Sequence, residues 1–237
     1  MGKMKIGPGD IKVLVACEES QTVCKAFRAR GFEAYSCDII DPSGGHPEWH
    51  IKGDALKLIN GFVFFNTMDG TIHFVAEWDL IIAHPPCTYL SNAGSSWLFS
   101  EGGAKIDRKR YDLGVEARKF FLRFYNAPCR HVAVENPVPM KIFELPPYSQ
   151  IIEPYYFGDK ATKKTCLWLR GLPELRETNN VGRPETRYCK NPKRKGRTVS
   201  WNESISGKDR KKIRSKTFHG IAEAMAEQWG EYILNTY

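Results

Sequence analysis

The run "IKVLVAC" at positions 11–17 constrains this chain more than any other feature. It is short, apolar and β-branched, and reads as a buried strand. Ser20 stands where a helix N-cap belongs, Val23 and Phe27 follow on one face, and Gly31 is placed for the C-terminal cap. Residues 32–37 make a second strand that ends at Asp38. A strand, a helix and a strand in this order open a doubly wound sheet, in which ligands bind beyond the carboxyl ends of the strands. Asp38 lies about 20 positions past the first strand, where such folds hydrogen-bond a ribose.

Further elements extend the α/β reading. "FVFFNTMDGTIHFV" at 62–75 predicts two strands around the turn at Asp69 and Gly70, a hairpin set before the next core strand at 77–83. Between Asp107 and Asn126, Leu113, Ala117, Phe120, Phe121 and Phe124 mark one face of a helix. Short strands follow at 131–134 and 166–169. From 173 to 215 the chain turns polar and basic, with "NPKRKGR" at 191–197 and "GKDRKKIRSK" at 207–216. No long apolar periodicity runs through it, which predicts a small, loop-rich insert. Apolar residues then recur at every fourth position, Ile221, Met225, Trp229 and Ile233, as a closing helix.

Composition narrows the setting. Of 237 residues 42% are hydrophobic, enough for one sizeable domain with an appendage. The seven cysteines show no metal spacing and fit a reducing cytoplasm better than a disulfide framework. No window has the length or apolarity of a membrane span or a signal peptide, so no membrane partner is expected. A net charge of +8 admits a polyanionic partner without identifying one, since basic runs are often solvated faces.

Chemistry concentrates in "DLIIAHPPCTYLS" at 79–91. Pro85 and Pro86 each fix φ and remove a backbone donor, so the turn after the strand is stiff. It presents Cys87 at the carboxyl edge of the sheet, where an α/β fold keeps its active site. The other six cysteines read as small buried hydrophobes. His84, His131 and His219 belong to no ligand set. A second strand tip, "VENP", carries Glu135 and Asn136 far enough downstream to leave room for a crossover helix. Thiol and carboxylate then share an edge. A thiolate attacks a weakly electrophilic ring only if the ring is protonated as attack occurs, so it needs such an acid.

With these residues in view the chain resembles the DNA cytosine-5 methyltransferases. Pro86 and Cys87 match the family's Pro-Cys nucleophile, and Glu135 and Asn136 its Glu-Asn pair. "VACEES" sits where the family holds the methionine end of S-adenosylmethionine, Asp38 where the ribose is held, and Asp54 of "GDAL" where adenine is contacted. "FGDKATKKTCLWLRG" at 157–171 matches the segment that usually carries two arginines, and "FHGIAEAMAEQWGEYI" the C-terminal helix that returns beside the first strand. The resemblance implies a Rossmann-like methyltransferase domain at 1–171, a short basic target-recognition insert at 172–214, and a returning helix at 215–237. It implies Cys87, Glu135, Asn136 and Lys163 as catalytic residues and Cys17, Glu18, Ser20, Asp38, Asp54 and Pro85 around the cofactor. Ser91, Asn92, Lys193, Arg194, Lys195 and Arg197 would meet double-stranded DNA, with residues 91–103 a mobile loop closing on it. The setting implied is the cytoplasm of a bacterium or phage-infected host.

Departures from the family pattern are specific. The first turn has Glu18, Glu19 and Ser20 in place of glycines, Pro137 follows Glu-Asn where valine is usual, and Lys163 and Thr165 stand at the arginine places. A lysine acts there as a point charge and not as a fork. So short an insert implies a small reader, or help from a companion nuclease or recognition chain. Two other classes stay open from sequence: a same-fold enzyme acting on another base, on RNA or with another group, and a catalytically silent nucleic-acid-binding protein.

Overall fold

The computed structural model describes residues 6–100, 103–185 and 216–237, with the short paired strands Arg187–Tyr188 and Thr198–Val199. Seven strands form the central sheet. They are β1 (Lys12–Ala16), β2 (Glu33–Asp38), β3 (His50–Lys52), β4 (Leu80–Ala83), β5 (His131–Pro137), β6 (Gln150–Ile152) and β7 (Thr165–Arg170). Their spatial order is 3-2-1-4-5-7-6, and β7 alone runs opposite to the other six. The strand order reverses between β1 and β4, which makes this a doubly wound Rossmann-like sheet with its switch point at those two tips.

Side-chain alternation divides the core into two layers. Val13, Val15, Leu80, Ile82, Ala133 and Leu167 point to one face, where they meet helix α1 (Thr22–Ala29) and the C-terminal helix α3 (residues 219–234). Leu14, Ala16, Ile81, Ala83, Val132, Val134 and Trp168 point to the other, under helix α2 (Arg108–Tyr125). Both strand faces are apolar because both are covered, as parallel sheets require. Trp168 and Trp229, both fully buried, each anchor one layer. Truncating either would cost about 3–5 kcal/mol.

Helix α3 runs as His219–Ala224, a π-helical turn Met225–Trp229 and Gly230–Leu234. The every-fourth-residue pattern explains the wide turn. In a pure α-helix such a row drifts about 40° per step, and one π turn brings Ile221, Met225, Trp229 and Ile233 back to one buried face. The expected hairpin is present as Val63–Asn66 paired with Ile72–Val75. Phe65 and Val75 face the core, whereas Phe64 and Phe74 face outward, 4.7 Å apart between ring centroids.

Three expectations are corrected. Ser20 does not cap α1; Gln21 holds that position in a left-handed conformation with φ 57°. Leu113 is exposed, and the buried face of α2 runs instead through Gly114, Phe121 and Phe124. Residues 91–100 are folded rather than a loose loop, for reasons given below. Among the described residues no helix is long and apolar enough to cross a membrane.

Candidate active site

Strands β4 and β5 are parallel neighbours in the register Ala83 beside Val134, so the next residues, His84 and Glu135, stand side by side at the carboxyl edge. The His84 backbone N–H still donates to Ala16 O at 2.9 Å, tying this tip to β1. Pro85 and Pro86 then turn the chain, and the Cys87 carbonyl accepts from Leu90 and Ser91 at 3.2 and 3.0 Å. Cys87 is half-buried and forms no disulfide. Asn136, fully buried, donates from Nδ2 to the Pro85 carbonyl at 3.3 Å and so holds the turn that carries the thiol.

Glu135 is the electrostatic centre of this edge. Its Oε2 lies 2.8 Å from His84 Nδ1 and accepts from Thr217 Oγ1 at 3.4 Å. Burial alone would raise its pKa. The His84 hydrogen bond, the charges of Lys163 and His84 and the Thr217 hydroxyl outweigh burial and hold it at about 2. Burial likewise works against a charged His84, but the bond to Glu135 and the charges of Glu135 and Glu18 prevail over Lys163 and raise its pKa. Each partner thus favours the charged form of the other. Lys163 comes from the segment entering β7; its Nζ donates to Lys216 O at 3.2 Å and lies 6.0 Å from the Phe218 ring centre. Thr165 is buried and uses its hydroxyl on the Lys163 carbonyl.

The β1 turn is built unlike its sequence suggests. Glu18 is buried and accepts from the N–H groups of Val23 and Cys24 at 2.6 and 3.2 Å. Its carboxylate caps α1 where Ser20 was expected to, and the helix N-terminus is a favourable place for it. Ser20, also buried, bonds to Thr22. Cys17 is held at φ 59°, and burial, then Asp38, Cys37 and Asp54, push its thiol well above its ordinary range. Residues 43–46 lie across the turn, with Ser43 N donating to Glu19 O at 2.8 Å. Only glycine fits at 44, where a Cβ would come within 2.5 Å of Gln21. Glu19 Oε2 is buried with no partner among the described residues. A buried carboxylate oxygen calls for a donor, and a cationic amine supplies one.

At the tip of β2, Asp38 Oδ1 accepts from Ile40 N at 3.3 Å, beside the exposed Ile39 and Ile40. Asp54 caps a single 3-10 turn through Leu56 N at 3.0 Å. The two aspartates thus share the edge with the β1 turn, each using one carboxylate oxygen locally.

The segment after Cys87 is docked on two sides. Ser91 is buried and bridges to Pro139, Asn92 N donates to Val138 O at 2.9 Å, and Leu90 O accepts from Met140 N at 2.7 Å. Arg110 of α2 donates to Thr88 O at 3.0 Å and stacks over Tyr89. Of the two residues expected to meet DNA here, Asn92 is exposed and Ser91 is not. Lys193, Arg194, Lys195 and Arg197 lie outside the described residues. A cleft of about 360 Å³ between the end of α2 and Ile59 lies toward the amino ends of the strands, away from this chemistry. Among the described residues no group of three or more His, Cys, Asp or Glu could hold a metal ion.

Two residues missed from sequence matter here. His84 was legible only through strand register, which pairs the residue after Ala83 with the residue after Val134. Glu19 gave no signal distinct from Glu18.

Fold and site together define a doubly wound α/β protein with a thiol and an ion-paired carboxylate on adjacent strand tips. No protein-family model and no curated protein matches the chain. Among solved structures it is similar to a protein described as a DNA modification methyltransferase encoded within a prophage of E. coli, at 12% identity over 74% of this chain and 51% of that one, TM-score 0.36. It is similar also to the methyltransferase EhMeth of Entamoeba histolytica, at 13% over 74% and 58%, TM-score 0.40. The Dnmt2 methyltransferase of S. pombe is another, at 13% over 69% and 51%, TM-score 0.35. The chain spans about half the length of these structures.

Proposed function

We propose that this chain methylates C5 of cytosine in double-stranded DNA, with S-adenosylmethionine as donor and Cys87 as covalent nucleophile. The observation that carries the reading is that Cys87 follows the tip of β4 while Glu135 stands at the tip of its parallel neighbour β5, on the carboxyl edge next to the switch point of the sheet. A thiol alone there is ambiguous. A thiol on the same sheet edge as an ion-paired carboxylate, with a lysine entering from the segment before β7, is suited to attack on a pyrimidine ring.

S-adenosylmethionine, when bound, supplies an electrophilic methyl group. Glu19 would neutralise its ammonium, and Asp38 and Asp54 would hold its ribose and adenine. The orphaned Glu19 oxygen is the feature of this turn that fits a cationic amine. The cytosine must leave the stack, because C5 and C6 are unreachable within a duplex. Cys87 Sγ, as thiolate, bonds to C6 while the Glu135 side supports protonation at N3. After C5 has accepted the methyl group a base removes the C5 proton, the Sγ–C6 bond breaks and the thiolate leaves. Asn136 holds the Pro-Pro turn during this cycle, and Lys163 offsets the negative charge of Glu135.

The basic runs at 193–197 and 208–214 would neutralise phosphates, giving an affinity that falls steeply with salt. A bacterial or phage-infected cytoplasm suits such a substrate, and a companion chain would supplement so short a reader. Bisulfite sequencing of DNA from cells expressing the protein tests the reading. Protected cytosines at a defined sequence are expected with wild type and not with Cys87→Ser. Conversion identical to that of control cells would overturn the assignment to DNA cytosine.

A further inference from the structure

The reaction just outlined leaves a difficulty at Glu135. A carboxyl group whose pKa is held at about 2 has no proton to give, yet N3 must gain one as the thiolate attacks. The structure supplies a source directly behind it. His84 Nδ1 lies 2.8 Å from Glu135 Oε2, and the two side chains are only 13% and 10% exposed. The contact follows from parallel register and is not a chance meeting of long side chains. Its other nitrogen, Nε2, is buried without a partner among the described residues. Among the described residues the hydrogen bond to Glu135 is thus the contact that orients the ring.

The polar groups facing the pair come from four elements, two of them charged side chains and two neutral. Glu18 reaches it from the β1 tip, Lys163 from the segment before β7 and Cys166 from β7 itself, while Thr217 bonds the same carboxylate oxygen from the approach to α3. Glu135 and Glu18 favour a proton on the imidazole and Lys163 opposes it.

We propose that His84 is the reservoir of the proton that Glu135 delivers to the ring, an inference that rests on the reading of Glu135 as the group facing N3. As Sγ bonds to C6 and electron density moves toward N3, the proton leaves Nδ1 for the carboxylate. A turn of the carboxyl group presents it to N3, and the imidazole is left neutral. When the Sγ–C6 bond breaks, N3 returns the proton through Glu135 to Nδ1. No proton is gained or lost over the cycle by this route. His84 touches no substrate atom and acts through Glu135, as a positioning and proton-holding residue.

Two measurements test this. Histidine-labelled full-length protein is titrated by NMR, with the His84 signal assigned by its loss in His84→Asn. Its midpoint should lie above the ordinary histidine range in wild type and should fall in Glu135→Gln. The rate of methyl transfer is then followed against pH. Wild type should lose activity as pH rises through the His84 midpoint. His84→Asn keeps an amide donor near Nδ1 but no transferable proton. It should be slower by about 100-fold, without that alkaline limb and with KM for DNA little changed. Should His84→Asn fail to fold, His84→Gln and the Glu135→Gln titration carry the same test. An ordinary midpoint insensitive to Glu135→Gln, or wild-type rate and pH profile in folded His84→Asn, would overturn the reservoir. Cytosine modification by wild type with an unshifted His84 sinks the reservoir alone. Absence of any modification by wild type sinks the reading of the reaction, and the role of the proton with it.

Discussion

Gly220→Ala sets helix propensity against packing at a point that also serves the site. Gly220 lies in the first turn of α3, where alanine in place of glycine would ordinarily stabilise by about 1 kcal/mol. Here a Cβ would stand 1.8 Å from the Phe157 carbonyl oxygen, 2.8 Å from its carbon and 3.1 Å from Asp159 Oδ2. The first two are backbone atoms and cannot swing aside, so the helix must retreat by roughly 1.5 Å to reach ordinary contact, at an overpacking cost of about 3 kcal/mol. The Gly220 N–H bond to Asp159 Oδ2, now 3.2 Å, would lengthen as well. A net loss of about 2 kcal/mol lowers the melting temperature of a chain this size by about 5 °C. Retreat also draws Thr217 away from Glu135 and the Lys216 carbonyl away from Lys163, so activity should fall at temperatures where the variant is still folded. Thermal and urea unfolding followed by circular dichroism give the stability. A melting temperature equal to or above wild type would refute the packing argument and return the site to simple propensity.

Two further substitutions separate the roles of the neighbouring glutamates. Glu18→Gln leaves one of the two α1 N–H groups facing an amide donor and should cost about 1–2 kcal/mol. Because burial raises the Glu18 pKa in the folded protein, the native state holds this proton more tightly than the unfolded chain does. Its contribution to stability falls as pH rises from the ordinary carboxylate range through the raised value, and Glu18→Gln should flatten that part of the pH–stability curve measured by urea unfolding. Glu19→Gln should leave the unfolding free energy within about 0.5 kcal/mol of wild type and weaken S-adenosylmethionine binding roughly tenfold by calorimetry. Unchanged affinity would show that the orphaned oxygen serves something else.

The sheet was legible because its strands are apolar on both faces and bounded by turn residues. The hairpin was legible because Asp69 and Gly70 announce it. The α1 cap was not, because it depends on Cys17 and Gln21 at positive φ, a conformation their side chains do not advertise, and on a glutamate reaching forward five residues. Leu113 misled because the apolar row on α2 is wider than the face that packs, and Gly114 is what lets Phe143 approach that helix. Serines and glycines after Cys87 suggested looseness, whereas Leu90 and Leu98, both fully buried, fasten the segment. Cys87 and Glu135 could be placed on one edge from sequence, since strand tips fix them. The ion pair that sets the charge of Glu135 needed the register of β4 against β5.

The central claim is that Cys87 forms a covalent bond to a cytosine ring. DNA carrying 5-fluorocytosine in the recognised sequence, found first from a randomised substrate, blocks the final step because fluorine cannot leave as a cation. Incubation with S-adenosylmethionine, followed by denaturing electrophoresis and peptide mass spectrometry, should find the chain joined to DNA through Cys87. Cys87→Ser should give almost no adduct, since a hydroxyl is a far poorer nucleophile near neutral pH. Methylation by Cys87→Ser at the wild-type rate, or an adduct mapped to another residue, would contradict the account.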